Sequence, residues 1–212
     1  MEGYMKIPSK TYPDIVLRVI PGHFVTANSH INYYIDMSMM KARQNEANAV
    51  AEALAERYIA STIVDTIVCM DGCEVIGAYL ANHLTKLGTI SMNAHKTIYI
   101  TTPEFNTNGQ LIFRENIQPM IRDKHVLLLL ASATTGKTVA QAIDVIQYYG
   151  GTVTGVSAIF SAASKIYTHP INALFTTADL PDYKTFEPGS CSLCKEGKPI
   201  DAIANGYGYS RL

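Results

Sequence analysis

"LLLLASATTGKTVAQAIDVIQYYGGTVTGVSAIF", residues 127–160, passes from a leucine run through a loop of small residues into a helix-like pattern, then past a glycine pair into a second apolar run. Val139, Ala142, Ile143 and Ile146 recur at helical spacing, so the stretch predicts strand, loop, helix, strand. Outward from it the same alternation continues. "ARQNEANAVAEALAERY" (42–58) places Ala47, Val50, Ala51, Leu54, Ala55 and Tyr58 on one helical face. "DTIVCM" (65–70) is a short buried strand, and "DGCEVIGAYLANHLTKLG" (71–88) reads as loop then helix, stopped by Gly88. "KTIYIT" (96–101), "HVLLLL" (125–130) and "TVTGVSAIFS" (152–161) are further strands, and "INALFTTADL" (171–180) supplies a last one.

Alternating strands and helices with near-continuous apolar strands predict a single α/β domain over 1–212, with a central parallel sheet covered by helices on both faces. Residues 1–40 and the tail 181–212 lie outside the alternation, and 102–124 is a non-periodic loop or hairpin. In such sheets ligands sit at the carboxyl ends of the strands, which singles out two loops, 70–76 and 131–138.

Composition sets further bounds. Hydrophobic residues make up 48% of the 212 and charged residues 17%, the balance of a folded chain with a real core. A net charge of −1 argues against a general grip on nucleic acid. The amino terminus carries no apolar leader and no stretch is long enough for a membrane span, so a cytoplasmic protein is expected. Four cysteines (Cys69, Cys73, Cys191 and Cys194) are then reduced thiols or metal ligands rather than a disulfide scaffold.

The loop at 131–138 falls one glycine short of the G-x-x-x-x-G-K-[ST] phosphate loop. Three features oppose a nucleotide triphosphatase. Ala131 stands where a glycine permits close backbone approach, the strand that follows carries no acid for magnesium, and about 130 residues precede the loop. Phosphate chemistry itself is well served. Backbone N–H groups converge at a helix N-terminus, Thr134, Thr135 and Thr138 add hydroxyls, and Lys137 adds charge. The plainer alternative is a small-residue turn that only connects two elements.

In its whole context, strand, T-T-G-x-T, helix, glycine pair and strand, the segment resembles the ribose-5-phosphate loop of type I phosphoribosyltransferases. "GHFVTANSHINYYIDM" (22–37) resembles the amino-terminal segment of the orotate branch of that family, and "IVCMDGCEVIGAYLA" (67–81) its pyrophosphate-contacting loop. "EPGSCSLCKEGKPI" (187–200) is similar to the Cys-x-x-Cys tails of some members. The resemblance implies a hood-like segment over 1–40, a homodimer, and Mg2+-assisted transfer of ribose 5-phosphate from phosphoribosyl pyrophosphate (PRPP) to a nitrogenous base. It assigns Thr134, Thr135, Gly136, Lys137 and Thr138 to the 5′-phosphate and Asp71, Gly72, Cys73 and Glu74 to the pyrophosphate loop. Phe24, Asn28, Ser29, Tyr33 and Tyr34 would line the base pocket.

The chain also departs from that pattern. Two adjacent acids, which in the family bind the ribose hydroxyls and steady the developing positive charge, are replaced by Leu130 and Ala131. Losing one preorganised partner of that kind costs about 2.7–4 kcal/mol of transition-state stabilisation. Thr101 and Thr102 occupy the place of an Arg-Lys pair, no basic residue follows before Arg114, and Ala27 replaces a base-site lysine. His95, Lys96 and Arg114 are the nearest charges that a different loop path would bring over the site instead. Two readings therefore stand side by side: an orotate-type phosphoribosyltransferase, and a PRPP- or nucleotide-binding sensor on the same fold. A P-loop triphosphatase comes third.

Cys191-x-x-Cys194 is half of a tetrahedral metal site, Zn2+ being the natural ion, with His169 the nearest candidate partner in the sequence. Asp71, directly after a strand, suits either a functional acid or a helix cap, and D-G-C-E has the spacing of a capping box with Glu74.

Overall fold

A computed structural model of the chain describes residues 3–86, 91–94 and 96–212. The chain opens with β1 (Met5–Pro8), β2 (Val16–Val25) and β3 (His30–Asp36), followed by α1 (Ser38–Ala42) and α2 (Gln44–Ala55). Then come β4 (Thr66–Cys69), α3 (Glu74–Thr85), β5 (Tyr99–Thr101), the two-residue strands β6 (Glu104–Phe105) and β7 (Leu111–Ile112), and β8 (His125–Ala133). The alternation continues through α4 (Lys137–Tyr148), β9 (Thr152–Ser161), β10 (Lys165–Ile166) and β11 (His169–Thr176). The remainder carries β12 (Thr185–Phe186), the single helical turn α5 (Ser192–Lys195), β13 (Ala202–Asn205) and β14 (Gly208–Arg211).

The central sheet runs β10-β11-β9-β8-β4-β5, parallel throughout except for β10 at its edge. Its four consecutive leucines are explained by the pleat, which sends successive side chains to opposite faces. Leu127 and Leu129 join the cluster built with α2 and α3, around Val50, Leu54, Ile76 and Leu80. Leu128 and Leu130 join the cluster on the other face, with Val139, Ala142, Ile143 and Ile146 of α4. A strand covered on both faces has no polar side to present, which is why the run is uninterrupted.

The expected α/β core is therefore present, with three differences. β8 extends to Ala133, so the loop after it is shorter than 131–138 and Leu130 and Ala131 belong to the strand. The 102–124 stretch does hold a hairpin, β6 against β7, with Glu104 opposite Ile112, and a 3-10 turn at Gln118–Met120. The third difference is the largest. The amino-terminal segment and the tail combine into a second six-stranded sheet, β12-β3-β2-β13-β14 with β1 along β2, in which β13 runs parallel to β2. A tail edge strand needs a partner, and the hood-like segment supplies it. The helix stop at Gly88 lies outside the described residues.

Candidate functional site

The amino end of α4 leaves backbone donors without partners among the described residues. Gly136 takes a left-handed conformation, φ +75°, which turns the chain from β8 into the helix. Helix geometry leaves the first backbone N–H groups without intrahelical acceptors. Among the described residues the N–H groups of Thr138 and Val139 have no acceptor, and that of Lys137 reaches only Thr135 Oγ1 at 3.5 Å. Thr135 and Lys137 are exposed, and Thr134 and Thr138 are half-buried beside them. The five residues expected to hold a phosphate therefore lie together at the amino end of α4, where the helix dipole adds positive potential.

The position of the missing acids is packed shut. Leu130 is fully buried in the α4 cluster and Ala131 is 3% exposed on the opposite face. These residues are core, and neither opens onto the loop.

The loop after β4 is closed in a different way. Asp71 has φ +57° and Gly72 φ +76°, so the chain doubles back tightly before α3. The Asp71 carboxyl lies near the backbone amides of Ala131 and Ser132, just past the point where the β4–β8 pairing ends at Cys69 and Leu129. It does not cap the helix: Cys73 holds the cap position with no side-chain bond, so the capping box with Glu74 does not form. Burial pushes the Asp71 carboxyl above its ordinary value, opposed by the Lys41 charge and those two amides, with exposed Glu74 adding to the rise. Lys41 Nζ donates to the Asp71 carbonyl at 2.8 Å and to the Gly206 carbonyl at 2.5 Å. Gly206 is at the tip of the β13–β14 hairpin, and a Cβ there would stand 2.5 Å from Asp71 Oδ1. Lys41 and the tail hairpin thus seal the loop. Sequence reasoning missed both, because neither carries a motif and both depend on the tail returning to the hood.

The expected base-pocket residues do not share one face. Tyr33 and Tyr34 are consecutive in β3 and so point to opposite sides of the sheet. Phe24 and Tyr34 are buried, their ring centroids 5.8 Å apart and both packed on Tyr209. Ser29 is buried in the turn it forms with Thr26, where the two hydroxyls lie 3.0 Å apart, and Asn28 is exposed at its tip. Most of this set holds the hood together. Arg114 pairs with Glu104 at 2.9 Å across the β6–β7 hairpin, Lys96 is exposed, and His95 lies outside the described residues.

A Mg2+ ion takes oxygen ligands, usually one or two carboxylates with substrate phosphates and water. The loop offers only Asp71, whose carboxylate already faces two amides, and Glu74, exposed in the first turn of α3. Leu130 and Ala131 offer none. The residues present do not build a protein-held Mg2+ site. Cys191 and Cys194 do gather with other donors, but these are His23 and His30 of the hood. His169, expected as their partner, begins β11 in the central sheet and lines a cleft with Arg57 and Thr154.

No family model matches the chain. It is 35% identical over 185 residues to an orotate phosphoribosyltransferase of Caldicellulosiruptor bescii, with 86% of this chain and 88% of that one covered. A 25% identity over 185 residues links it to the orotate phosphoribosyltransferase of Chlorobium phaeobacteroides, covering 87% and 88%. Among solved structures, the orotate phosphoribosyltransferase of Mycobacterium tuberculosis superposes with a TM-score of 0.54 at 17% identity, covering 77% of this chain and 92% of that one.

Proposed function

The chain belongs to the orotate phosphoribosyltransferase family, and from that premise we propose that it binds PRPP and transfers its ribose-5-phosphate unit to a nitrogenous base of the orotate type. The observation that carries this reading is the open amino end of α4. There the hydroxyls of Thr134, Thr135 and Thr138, the Lys137 charge and backbone amides without acceptors among the described residues gather at one helix end, the chemistry that would suit a 5′-phosphate. In the reaction a ring nitrogen of the base gives up its proton to water and forms a bond to the sugar's anomeric carbon as the C–O bond to pyrophosphate breaks and pyrophosphate leaves. This chain's part is to fix the phosphate end so that the sugar lies along the carboxyl ends of β4 and β8. No step is assigned to Mg2+, because the side chains around Asp71 do not form a site for it. The same reading carries a homodimer in the cytoplasm with neither nucleic acid nor membrane as partner. Among the described residues no helix is long and apolar enough to cross a membrane.

A second reading, a PRPP- or nucleotide-binding protein without turnover, is favoured by one observation: Leu130 and Ala131 are buried as core. Two measurements decide between them. Thermal shift with PRPP, orotidine monophosphate and ATP, each with and without Mg2+, tests the ligand; stabilisation by ATP alone sinks both phosphoribosyl readings. Pyrophosphate release from PRPP with orotate and other bases then tests the chemistry. Release supports the transferase, and a PRPP shift without release from any base leaves the binding protein.

A further inference from the structure

Four side chains from distant parts of the sequence meet at one end of the hood sheet. His23 Nε2 lies 2.9 Å from His30 Nδ1 and 3.6 Å from each of Cys191 Sγ and Cys194 Sγ, and His30 Nδ1 lies 3.4 Å from Cys194 Sγ. All four atoms fall within 4.8 Å of one another. A tetrahedral ion with Zn–N near 2.05 Å and Zn–S near 2.3 Å requires N···S separations of about 3.5 Å and N···N of about 3.3 Å. The three N···S distances match, and the N···N distance is that of a proton shared between two rings. We propose that His23, His30, Cys191 and Cys194 form a structural Zn2+ site that clasps the carboxyl-terminal segment onto the hood.

The surroundings prepare the site. His23 is 2% exposed, and its Nδ1 lies 3.1 and 3.2 Å from the carbonyls of Lys198 and Pro199. A carbonyl only accepts, so Nδ1 carries the proton and the Nε2 lone pair faces the cluster. The backbone holds that ring in place, since His23 N–H donates to Asp201 Oδ2 at 2.7 Å and Asp201 N–H to the His23 carbonyl at 2.8 Å. His30 begins β3, where it pairs with Val25 on one side and Phe186 on the other. Cys191 caps the single turn α5 and Cys194 lies within it, which brings both sulfurs to one side. Cys194 is exposed, leaving an entry path. Two thiolates with two imidazoles in tetrahedral array suit Zn2+ above harder ions. On binding, the metal replaces both thiol protons, and the His30 proton moves from Nδ1 to Nε2 through solvent. The site lies away from the phosphate loop and stands whether or not the chain turns over PRPP.

The full-length chain, reduced, loaded with Zn2+ and freed of excess, is expected to hold one zinc per chain by mass spectrometry of the metal. Cobalt in its place should give thiolate-to-metal absorption and the visible bands of a tetrahedral ion. Cys194→Ser, at an exposed position, should stay folded by circular dichroism and lose both the zinc and the cobalt spectrum. Should the variant misfold, chelation of the wild type tests the same site: Tm falls as zinc leaves and recovers when it is restored. Substoichiometric zinc after loading, full zinc in folded Cys194→Ser, a Tm that chelation leaves unmoved, or a Cys191–Cys194 disulfide that forms as readily with zinc present would each overturn the site.

Discussion

The loop after β8 and the loop after β4 leave neighbouring parallel strands at the same edge of the central sheet, and only one of them is open. At the loop after β8 the N–H groups of Thr138 and Val139 have no acceptor among the described residues, and that of Lys137 reaches only Thr135 Oγ1 at 3.5 Å. At residues 71–74 the loop is covered: the Asp71 carboxyl lies near two amides of β8, Lys41 donates to the Asp71 carbonyl, and the tail hairpin lies against both. The difference teaches that an anion site is made by donors left without partners. A loop of the right sequence whose polar groups are already paired must be reopened before a ligand can use it.

The strongest way to break this comparison is to restore an acid beside the open loop. Leu130→Asp puts a carboxyl into a fully buried apolar cluster. The lost leucine packing costs about 2–5 kcal/mol and the unpaired polar group about 1–3 more. A loss near 5 kcal/mol in urea unfolding is expected, with no gain in turnover. A cost below about 1 kcal/mol would mean that position 130 opens onto the site, and that the strand is not sealed there.

Next in size is the open loop itself. Removing the hydroxyls of Thr134, Thr135 and Thr138 together should cost at least about 3 kcal/mol of affinity for PRPP, more than a hundredfold, because hydrogen bonds to a charged ligand are worth about 1.5–3 kcal/mol each. Titration calorimetry on the triple alanine variant, still folded by circular dichroism, measures it. Unchanged affinity would move the phosphate elsewhere.

What the sequence made legible follows the range of the interactions. The helix face of α4 and the buried leucines are local patterns of period 3.6 and period 2, and each is found where the spacing placed it. The second sheet is not local. β13 pairs with β2 across some 180 residues, and no periodicity in either strand announces the other. Everything that depends on that pairing was hidden in turn: the partners of Cys191 and Cys194, the cover over Asp71 and the role of Lys41. Tyr33 and Tyr34 mislead for a different reason, since two aromatic residues in a row look like one surface until the strand separates them.

Lys41 tests whether the two loops are independent. Lys41→Met keeps the stem and removes the charged donor to the carbonyls of Asp71 and Gly206. Half-buried bonds of this kind are worth about 1–2 kcal/mol in total. Faster hydrogen exchange at the β13–β14 tip is expected, with PRPP affinity at the 134–138 loop unchanged. An equal loss at both loops would show that the tail supports the open site as well as covering the closed one.

The smallest effect, and the finest probe of closure, is the titration of Asp71. Its carboxyl holds a proton to higher pH in the folded chain than at its ordinary value of 3.8, chiefly because it is buried. The folded state therefore binds more protons over that interval. The contribution to stability is fully present below the unfolded value and is lost as pH rises through the folded one. Asp71→Asn cannot titrate, so the stability of the wild type relative to the variant should fall as pH climbs out of the acid range and then level off. Urea unfolding of both chains at a series of pH values isolates this difference from the other carboxylates, which titrate in both. A difference that stays flat with pH would place Asp71 in water, and the loop after β4 would then be as open as the loop after β8.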